Sequence, residues 1–262
     1  MKTDIHVHPI LKPGDRSGFE TETALLIDCM DRAGIDRANI IPIMYDVVLD
    51  EEAIEFLASY LIPALARHPD RFFGMLWLNP LLPIGYLSDT VKKYIIDGPV
   101  HGVKLLCELN ASDERMEPLA AFLEEYGVPV LIHSWYNNLS ANKNESAPRD
   151  VARLAAKFPA LKIVMAHLRG AGFRGVQDIK KHPNVSIDTS GSESEDGYLA
   201  YALRELGPDR VLFGTDYPGR DFSAAIGRIE SVEISRGDRD MIFNSNAEKF
   251  LRGSAEKRGQ YV

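Results

Sequence analysis

The chain has 262 residues, of which 38 are acidic and 30 are basic, so its formal net charge is −8. An apolar fraction of 45% and a charged fraction of 26% are typical of a globular protein in water. The acidic balance argues against nucleic acid or an anionic membrane as the main partner and favours a small-molecule ligand.

The two cysteines, Cys29 and Cys107, are too few for a disulfide framework and lack the spacing of a zinc finger. We interpret them as buried thiols in a reducing compartment. Met1 leads directly into an apolar, histidine-bearing segment rather than a signal peptide, and every apolar run is far shorter than the ~20 residues of a membrane helix. The sequence therefore predicts a cytoplasmic protein.

Eight β-rich segments alternate along the chain with segments of helical spacing. The predicted strands are residues 3–8, 38–45, 71–78, 102–106, 128–133, 161–167, 184–189 and 210–215. Residues 51–67 and 114–125 each place their apolar side chains on one face and predict helices. Pro148 marks the first turn of another helix, and a final helix is expected near residues 238–251.

Strands that alternate with helices are parallel and joined by crossovers. Eight such units in this length predict an α/β fold with a single domain over residues 1–262, a closed (β/α)₈ TIM barrel with an extra C-terminal helix and a frayed tail at 252–262. The alternative, a doubly wound open sheet, normally has a glycine-rich turn after the first strand, where this chain has His8-Pro9.

Histidines at the ends of predicted strands are the main functional signal. Four of the seven histidines lie there: His6, His8, His133 and His167. Because side chains alternate along a strand, we expect His6 and His8 to face the barrel mouth, and Ile5 and Val7 to face the helices. Asp216 follows the last strand, which closes against the first, so it should lie beside the histidine pair.

This set of side chains predicts a metal site. Three neutral imidazoles and one carboxylate suit a divalent cation with an open coordination position, with Zn²⁺ as the default and Mn²⁺ as the alternative. A single histidine at a strand end is more often structural, but burying several imidazoles and a carboxylate without an ion would be costly. We interpret the remaining histidines, His68, His101 and His182, as structural.

Motifs spread over nearly the whole chain carry a family resemblance. They are DIHVHP at residues 4–9, VLIH at 130–133, FP at 158–159 with VMAH at 164–167, FGTDYP at 213–218 and NAEKFL at 246–251. In these motifs the chain resembles the amidohydrolase superfamily. Within it, the chain is similar to the amidohydrolase-related branch that holds aminocarboxymuconate-semialdehyde and resorcylate-type decarboxylases alongside hydrolases.

The resemblance implies a role for each of these side chains. His6, His8, His133 and Asp216 would bind one metal ion, and His167 would lie near the metal-bound water as a proton-transfer residue. A divalent ion lowers the pKa of bound water toward ~7. Asp216 could then carry a proton to the leaving group.

Lys104 interrupts an apolar strand and is open to three interpretations. An inward Lys104 could be carbamylated and bridge two metal ions, or it could bind a substrate carboxylate as a cation. It could also pack its stem and reach a neighbouring carboxylate, as many lysines do. We expect one metal ion rather than two.

Loop residues after the strands offer weaker signals for substrate binding. Trp135 could form a wall against a ring or simply pack in its loop, and Arg169 could pair with a carboxylate or remain solvated. The polar loop at 136–144 is long enough for a lid or a subunit contact. The run Ser190-Gly191-Ser192 lies at the same face, but its composition alone says little.

We predict a metal-dependent hydrolase of a small cyclic amide, lactone or ester. The first alternative is a non-oxidative decarboxylase of an aromatic or muconate-type acid. Neither a non-catalytic metal-binding scaffold nor a metal-dependent nuclease fits as well, because all the proposed ligands are retained and the negative charge offers no phosphate track. The prevalence of symmetric dimers favours a homodimer.

Overall fold

The computed structural model describes residues 1–136, 143–192 and 196–258, the last six by their backbone alone. Eight parallel strands follow one another in chain order around a single sheet. They are β1 (Thr3–Val7), β2 (Arg37–Ile40), β3 (Phe72–Trp77), β4 (Gly102–Leu105), β5 (Val130–Ile132), β6 (Ile163–Met165), β7 (Val185–Asp188) and β8 (Val211–Leu212).

The sheet closes where the chain after β8 meets β1. The backbone N–H of Ile5 donates to the carbonyl of Phe213 at 2.9 Å, and the N–H of Asp216 donates to the carbonyl of His6 at 2.8 Å. The predicted (β/α)₈ barrel is therefore confirmed.

Helices cover the outside of the sheet. They are α1 (Phe19–Ala33), α2 (Glu51–Arg67), α3 (Ile84–Val91), α4 (Glu117–Glu125), α5 (Pro148–Lys157), α6 (Leu168–Ile179), α7 (Tyr198–Leu206), α8 (Phe222–Glu230), α9 (Arg236–Asp240) and α10 (Asn246–Arg258). The predicted helix at 51–67 is α2, and Pro148 begins α5, where its missing N–H breaks no hydrogen bond. Within the described ranges, no helix has the length and apolar character to cross a bilayer.

The predicted C-terminal helix is longer and less regular than the sequence suggests. A π-helical turn at Met241–Ser245 joins α9 to α10. α10 continues to Arg258, and the expectation of a frayed tail over 252–262 stays a prediction. Residues 259–262 lie outside the described part of the chain.

Prolines shorten two of the predicted strands. The sequence predicts a second strand over 38–45, but β2 ends at Ile40 just before Pro42, which has no N–H to donate. The fifth strand begins at Val130, directly after Pro129, rather than at Val128. In each case the run of apolar residues in the sequence is longer than the strand that the hydrogen bonds define.

The barrel interior below the mouth is filled by apolar side chains from the strands, closed off by the start of α10. This inner cluster comprises Ile5, Ile41, Phe73, Met75, Leu131, Val164, Ala166 and Leu212, with Ala247, Phe250 and Leu251. A second, larger cluster lies between the sheet and the surrounding helices. The inner layer forms a packed floor beneath the functional side chains.

A bulge in β1 changes which side chains face inward. β1 advances by three residues between Asp4 and Val7, whereas β2 advances by two over the same stretch. The expectation that Ile5 faces the helices is therefore wrong: Ile5 packs in the inner cluster with Leu131. The extra residue lets Ile5 and His6 both reach the barrel interior.

Two buried polar side chains hold the bulge in place. The carboxylate of Asp4 accepts the N–H of His6 at 2.9 Å and the hydroxyl of Thr215 at 2.6 Å. The amide of Asn39 donates to the carbonyl of Ile5 at 2.9 Å. Burial raises the pKa of Asp4 to about 7. The backbone groups that the bulge leaves unpaired are thus satisfied by side chains.

Candidate active site

His6 and His8 are each fixed through Nδ1. Nδ1 of His6 donates to Oδ2 of Asp188 at 2.8 Å, and Nδ1 of His8 donates to the carbonyl of Ile41 at 2.8 Å. Because both partners are acceptors, each ring carries its proton on Nδ1 and leaves a lone pair on Nε2. The two Nε2 atoms lie 3.0 Å apart.

Burial keeps these two rings neutral. Together with the charge of Lys104, it lowers the pKa of His6 well below its ordinary value and the pKa of His8 to about 3. Two neutral imidazoles whose lone pairs converge repel each other unless a cation or a donor lies between them. Neutral imidazole is also the form that binds metal ions.

Asp216 completes this group of potential ligands. It follows β8 with a positive φ of 65°, and its Oδ1 lies 3.7 Å from Nε2 of His6 and 3.5 Å from Nε2 of His8. Burial raises the pKa of Asp216 to about 6, against the lowering effect of Lys104. Two imidazole nitrogens and one carboxylate oxygen suit a divalent ion, so the side chains fit the metal that the sequence predicts.

Lys104 points into the barrel from β4 and is fully buried. Its Nζ donates to Nε2 of His6 at 3.0 Å. Burial lowers the pKa of Lys104 to about 8, although Asp216 and Asp188 act in the opposite direction. The ammonium group therefore lies next to the potential ligands rather than at the protein surface.

His167 follows β6 in the left-handed backbone region, with φ of 74°. Its Nδ1 lies 2.8 Å from Oγ of Ser190, and its Nε2 lies 3.1 Å from Nδ1 of His133. Burial, followed by the neighbouring imidazoles, lowers the pKa of His167 well below its ordinary value. A strained backbone at a buried polar residue is typical of functional sites.

The structure does not bring His133 into the same group as His6, His8 and Asp216. Among the described residues, the nitrogens of His133 cluster instead with Cys107 and Glu145, and Nε2 of His133 lies 2.8 Å from Oε1 of Glu145. The role of His133 as a metal ligand therefore stays a prediction.

The interpretation of the two cysteines as buried thiols needs a correction. Cys29 and Cys107 are free thiols, as expected, but both are only half-buried. Cys107 follows β4 and reaches the edge of the mouth, which is why it approaches His133 there.

Asp188 and Glu145 are the site residues that sequence reasoning missed. Asp188 is fully buried and is the last residue of β7. Asp216 and the histidines likewise lie at or shortly after the carboxyl ends of their strands. That position was the available signal for Asp188. Glu145 follows a polar loop and carried no comparable signal.

Trp135 and Arg169 lie close to His167. The indole of Trp135 is 5.3 Å from the ring of His167, and it leaves no room for a side chain at Gly170, where a Cβ would lie 2.5 Å from the indole. The N–H of Arg169 donates to the carbonyl of Ser190 at 3.0 Å. Their roles in substrate binding, like that of Lys104, stay predictions. Most of the proposed lid, residues 137–142, lies outside the described residues.

Comparisons with known proteins give the family and the fold relatives. A family model described as Amidohydrolase (Amidohydro_2) matches residues 3–253. Gamma-resorcylate decarboxylase from Polaromonas sp. (strain JS666 / ATCC BAA-500) is 30% identical over 118 residues, which cover 37% of this chain and only 36% of that protein's length.

Solved structures match over nearly the whole chain. A dihydroxybenzoic acid decarboxylase from Polaromonas sp. JS666, with bound manganese and the inhibitor 2-nitroresorcinol, has a TM-score of 0.77 and 19% identity and covers 98% of each chain. The 5-carboxyvanillate decarboxylase LigW from Sphingomonas paucimobilis has a TM-score of 0.76 and 17% identity, covering 96% of this chain and 98% of its own.

These relatives correct the functional prediction. The three relatives described above are decarboxylases rather than hydrolases, so the hydrolase prediction is wrong and its decarboxylase alternative is favoured. The choice of zinc is not supported either, since the metal in the Polaromonas structure is manganese. With the family model matching residues 3–253, the chain belongs to the amidohydrolase family.

Proposed function

We propose that this protein is a metal-dependent, non-oxidative decarboxylase of an aromatic acid that carries a hydroxyl group beside its carboxylate. The observation that carries the proposal is the convergence of Nε2 of His6, Nε2 of His8 and Oδ1 of Asp216 at the barrel mouth. The similarity to aromatic-acid decarboxylases along nearly the whole chain supports this choice of reaction.

The ion would be a single divalent metal, with Mn²⁺ in preference to Zn²⁺. His6, His8 and Asp216 would hold it, with His133 as the predicted fourth ligand. Bound there, the ion supplies positive charge that attracts the substrate carboxylate and the neighbouring phenol oxygen. We expect one ion per chain, because Lys104 already presents a positive charge 3.0 Å from Nε2 of His6.

The reaction requires a proton at the ring carbon. The bond between that carbon and the carboxylate breaks, carbon dioxide leaves, and the electron pair left on the ring takes up a proton. Asp216 is the proposed donor, because a carboxylate that binds the ion through one oxygen keeps its second oxygen to carry a proton to the ring carbon. Lys104 would attract the carboxylate before it leaves.

The remaining residues would orient the ring and exclude water. Trp135 lies beside His167 and offers an apolar face to an aromatic substrate. His167 would orient the neighbouring His133, whose Nδ1 lies 3.1 Å from Nε2 of His167. Arg169 would pair with an acidic group at the outer end of the substrate.

A substrate panel tests the proposal. Protein loaded with Mn²⁺ is incubated with 2,6-dihydroxybenzoate, 5-carboxyvanillate, salicylate and benzoate, and the decarboxylated product is quantified by chromatography. We expect product from at least one acid with an adjacent hydroxyl and none from benzoate. His8→Ala should abolish turnover, whereas His182→Ala, remote from the mouth, should not. A metal-loaded protein that forms no product from any of these acids would contradict the proposal.

A further inference from the structure

Ser190 occupies a buried position between a carboxylate and an imidazole. It follows β7 and is 2% exposed. Its Oγ contacts Oδ1 of Asp188 and lies 2.8 Å from Nδ1 of His167. A serine hydroxyl has one hydrogen to donate, so only one of these contacts can use it.

The contacts of Asp188 decide which one. Its Oδ2 faces Nδ1 of His6 at 2.8 Å, and its Oδ1 accepts the backbone N–H groups of His167 and Ser190, each at 3.0 Å. A carboxylate that receives these donors only accepts, so the hydroxyl hydrogen of Ser190 points to Asp188. Oγ of Ser190 is then an acceptor for His167.

We propose that Ser190, backed by Asp188, is a positioning residue that fixes the proton of His167 on Nδ1 and leaves Nε2 of His167 as an acceptor. The inference is independent of which substrate binds. It rests on the proposed function in one respect, which is that these hydrogen bonds would support the proposed metal site.

The acceptor at Nε2 of His167 faces Nδ1 of His133 at 3.1 Å. A histidine that binds a metal ion through Nε2 carries its proton on Nδ1 and donates it to a neighbouring acceptor. The tautomer imposed by Ser190 thus places a proton on Nδ1 of His133, and Nε2 of His133, which faces Oε1 of Glu145 at 2.8 Å, would bind an ion by exchanging that contact for it. Asp188 would therefore act on two predicted ligands, on His6 directly and on His133 through Ser190 and His167.

The backbone around His167 supports a fixed ring. His167 has a positive φ, and its N–H is held by Asp188 at 3.0 Å. Two residues later, the N–H of Arg169 donates to the carbonyl of Ser190 at 3.0 Å. Both hydrogen bonds tie the end of β6 to the end of β7, so the ring and the hydroxyl keep their relative positions.

Histidine ¹⁵N chemical shifts test the proposal directly, because protonated and unprotonated ring nitrogens differ. Full-length protein labelled with [¹⁵N]histidine is loaded with Zn²⁺ as a diamagnetic replacement, and the His167 signals are assigned by their loss in His167→Asn. We expect a protonated Nδ1 and an unprotonated Nε2 for His167 in the wild type. The opposite tautomer in the wild type would overturn the proposal without any variant.

Variants of Ser190 provide the second readout. Ser190→Ala should mix or reverse the tautomer and raise the Kd for Mn²⁺ by about 10–100-fold. Ser190→Thr keeps the hydroxyl and should restore both, and Ser192→Ala, at an exposed neighbour, is the matched control. An unchanged His167 tautomer and Mn²⁺ affinity in Ser190→Ala would overturn the proposal. These readouts need no substrate, so a failed decarboxylase assay leaves them unaffected.

Discussion

Asp188 and His6 form a buried hydrogen bond of 2.8 Å that joins the ends of β7 and β1 at the barrel mouth. The bond leaves Nε2 of His6 aimed at Nε2 of His8, 3.0 Å away. In metal sites, a carboxylate behind a ligating histidine fixes its tautomer and its orientation. Asp188 would therefore orient His6 toward the proposed metal ion without contacting the ion itself.

Removing the charge of Asp188 should weaken metal binding. The side chain of Asp188→Asn has one oxygen in place of two, so its NH₂ group must face the proton of either His6 or Ser190. The hydrogen bond on that side is lost, and with it the fixed orientation of His6 or of His167. We expect the Kd for Mn²⁺ to rise about 10–100-fold, measured by competition with a chelator. Asp209→Asn, at an exposed acid, is the control. Wild-type affinity in Asp188→Asn would show that His6 is oriented by other contacts.

His167→Asn should separate catalysis from metal binding. His6, His8 and Asp216 remain, so at saturating Mn²⁺ most of the metal should be retained, although the Kd should rise as it does in Ser190→Ala. The predicted role of His167 beside the reacting groups implies a loss of about 100-fold or more in kcat, measured with the metal site saturated. Turnover and metal content are measured on the same samples, and near-normal turnover would refute the role of His167.

The bulge in β1 should matter for both stability and metal binding. Asn39→Ala leaves the buried carbonyl of Ile5 without its donor, at a cost of about 1–3 kcal/mol in the free energy of unfolding. Asn79→Ala is a matched control, because Asn79 is also buried and donates to the carbonyl of Leu49 at 2.9 Å. Denaturant unfolding should show similar losses in both variants.

Of the two variants, only Asn39→Ala should also weaken Mn²⁺ binding, because Asn39 holds the bulge that orients His6 and Asn79 does not contact it. Equal Mn²⁺ affinity in the two variants would mean that the bulge does not position His6.

Metal affinity should fall as the pH is lowered through about 6. Asp216 takes up a proton in that range, and a protonated carboxylate competes poorly for a metal ion. His8 contributes no such competition until about pH 3. The slope of log Kd against pH, measured between about 4.5 and 6, a range of about 1.5 units below the pKa of Asp216, gives the number of protons released per ion bound. In Asp216→Asn this number should be smaller by about one. His8→Asn should keep the wild-type slope. A reduced slope in His8→Asn would mean that its imidazole titrates near its ordinary pKa.

Lys104→Met tests the charge beside the ligands. Removing an ammonium group 3.0 Å from Nε2 of His6 should tighten Mn²⁺ binding by about tenfold, while the KM for the aromatic acid rises. Elemental analysis of the wild type should give close to one ion per chain. A value close to two, lost in Lys104→Met, would instead support a carbamylated, bridging lysine.

The sequence was sufficient to predict the barrel and the position of Asp216 beside His6 and His8, because strand periodicity and strand ends determine both. It could not predict the bulge, which adds one residue to β1 and turns Ile5 inward. Nor could it predict Asp188 as a partner of His6, because β7 and β1 are not neighbouring strands and the contact spans β8 at the barrel mouth. The reaction was also mispredicted, since no single residue of the sequence distinguishes a hydrolase from a decarboxylase.

The most direct test of the account is the release of labelled carbon dioxide in heavy water. Protein loaded with Mn²⁺ is given aromatic acids with an adjacent hydroxyl and a ¹³C-labelled carboxyl group, with His8→Ala as the control. We predict ¹³CO₂ in the headspace and one deuterium at the vacated ring carbon, both lost in His8→Ala. A wild-type protein that retains Mn²⁺ but releases no ¹³CO₂ from any such acid would contradict the account.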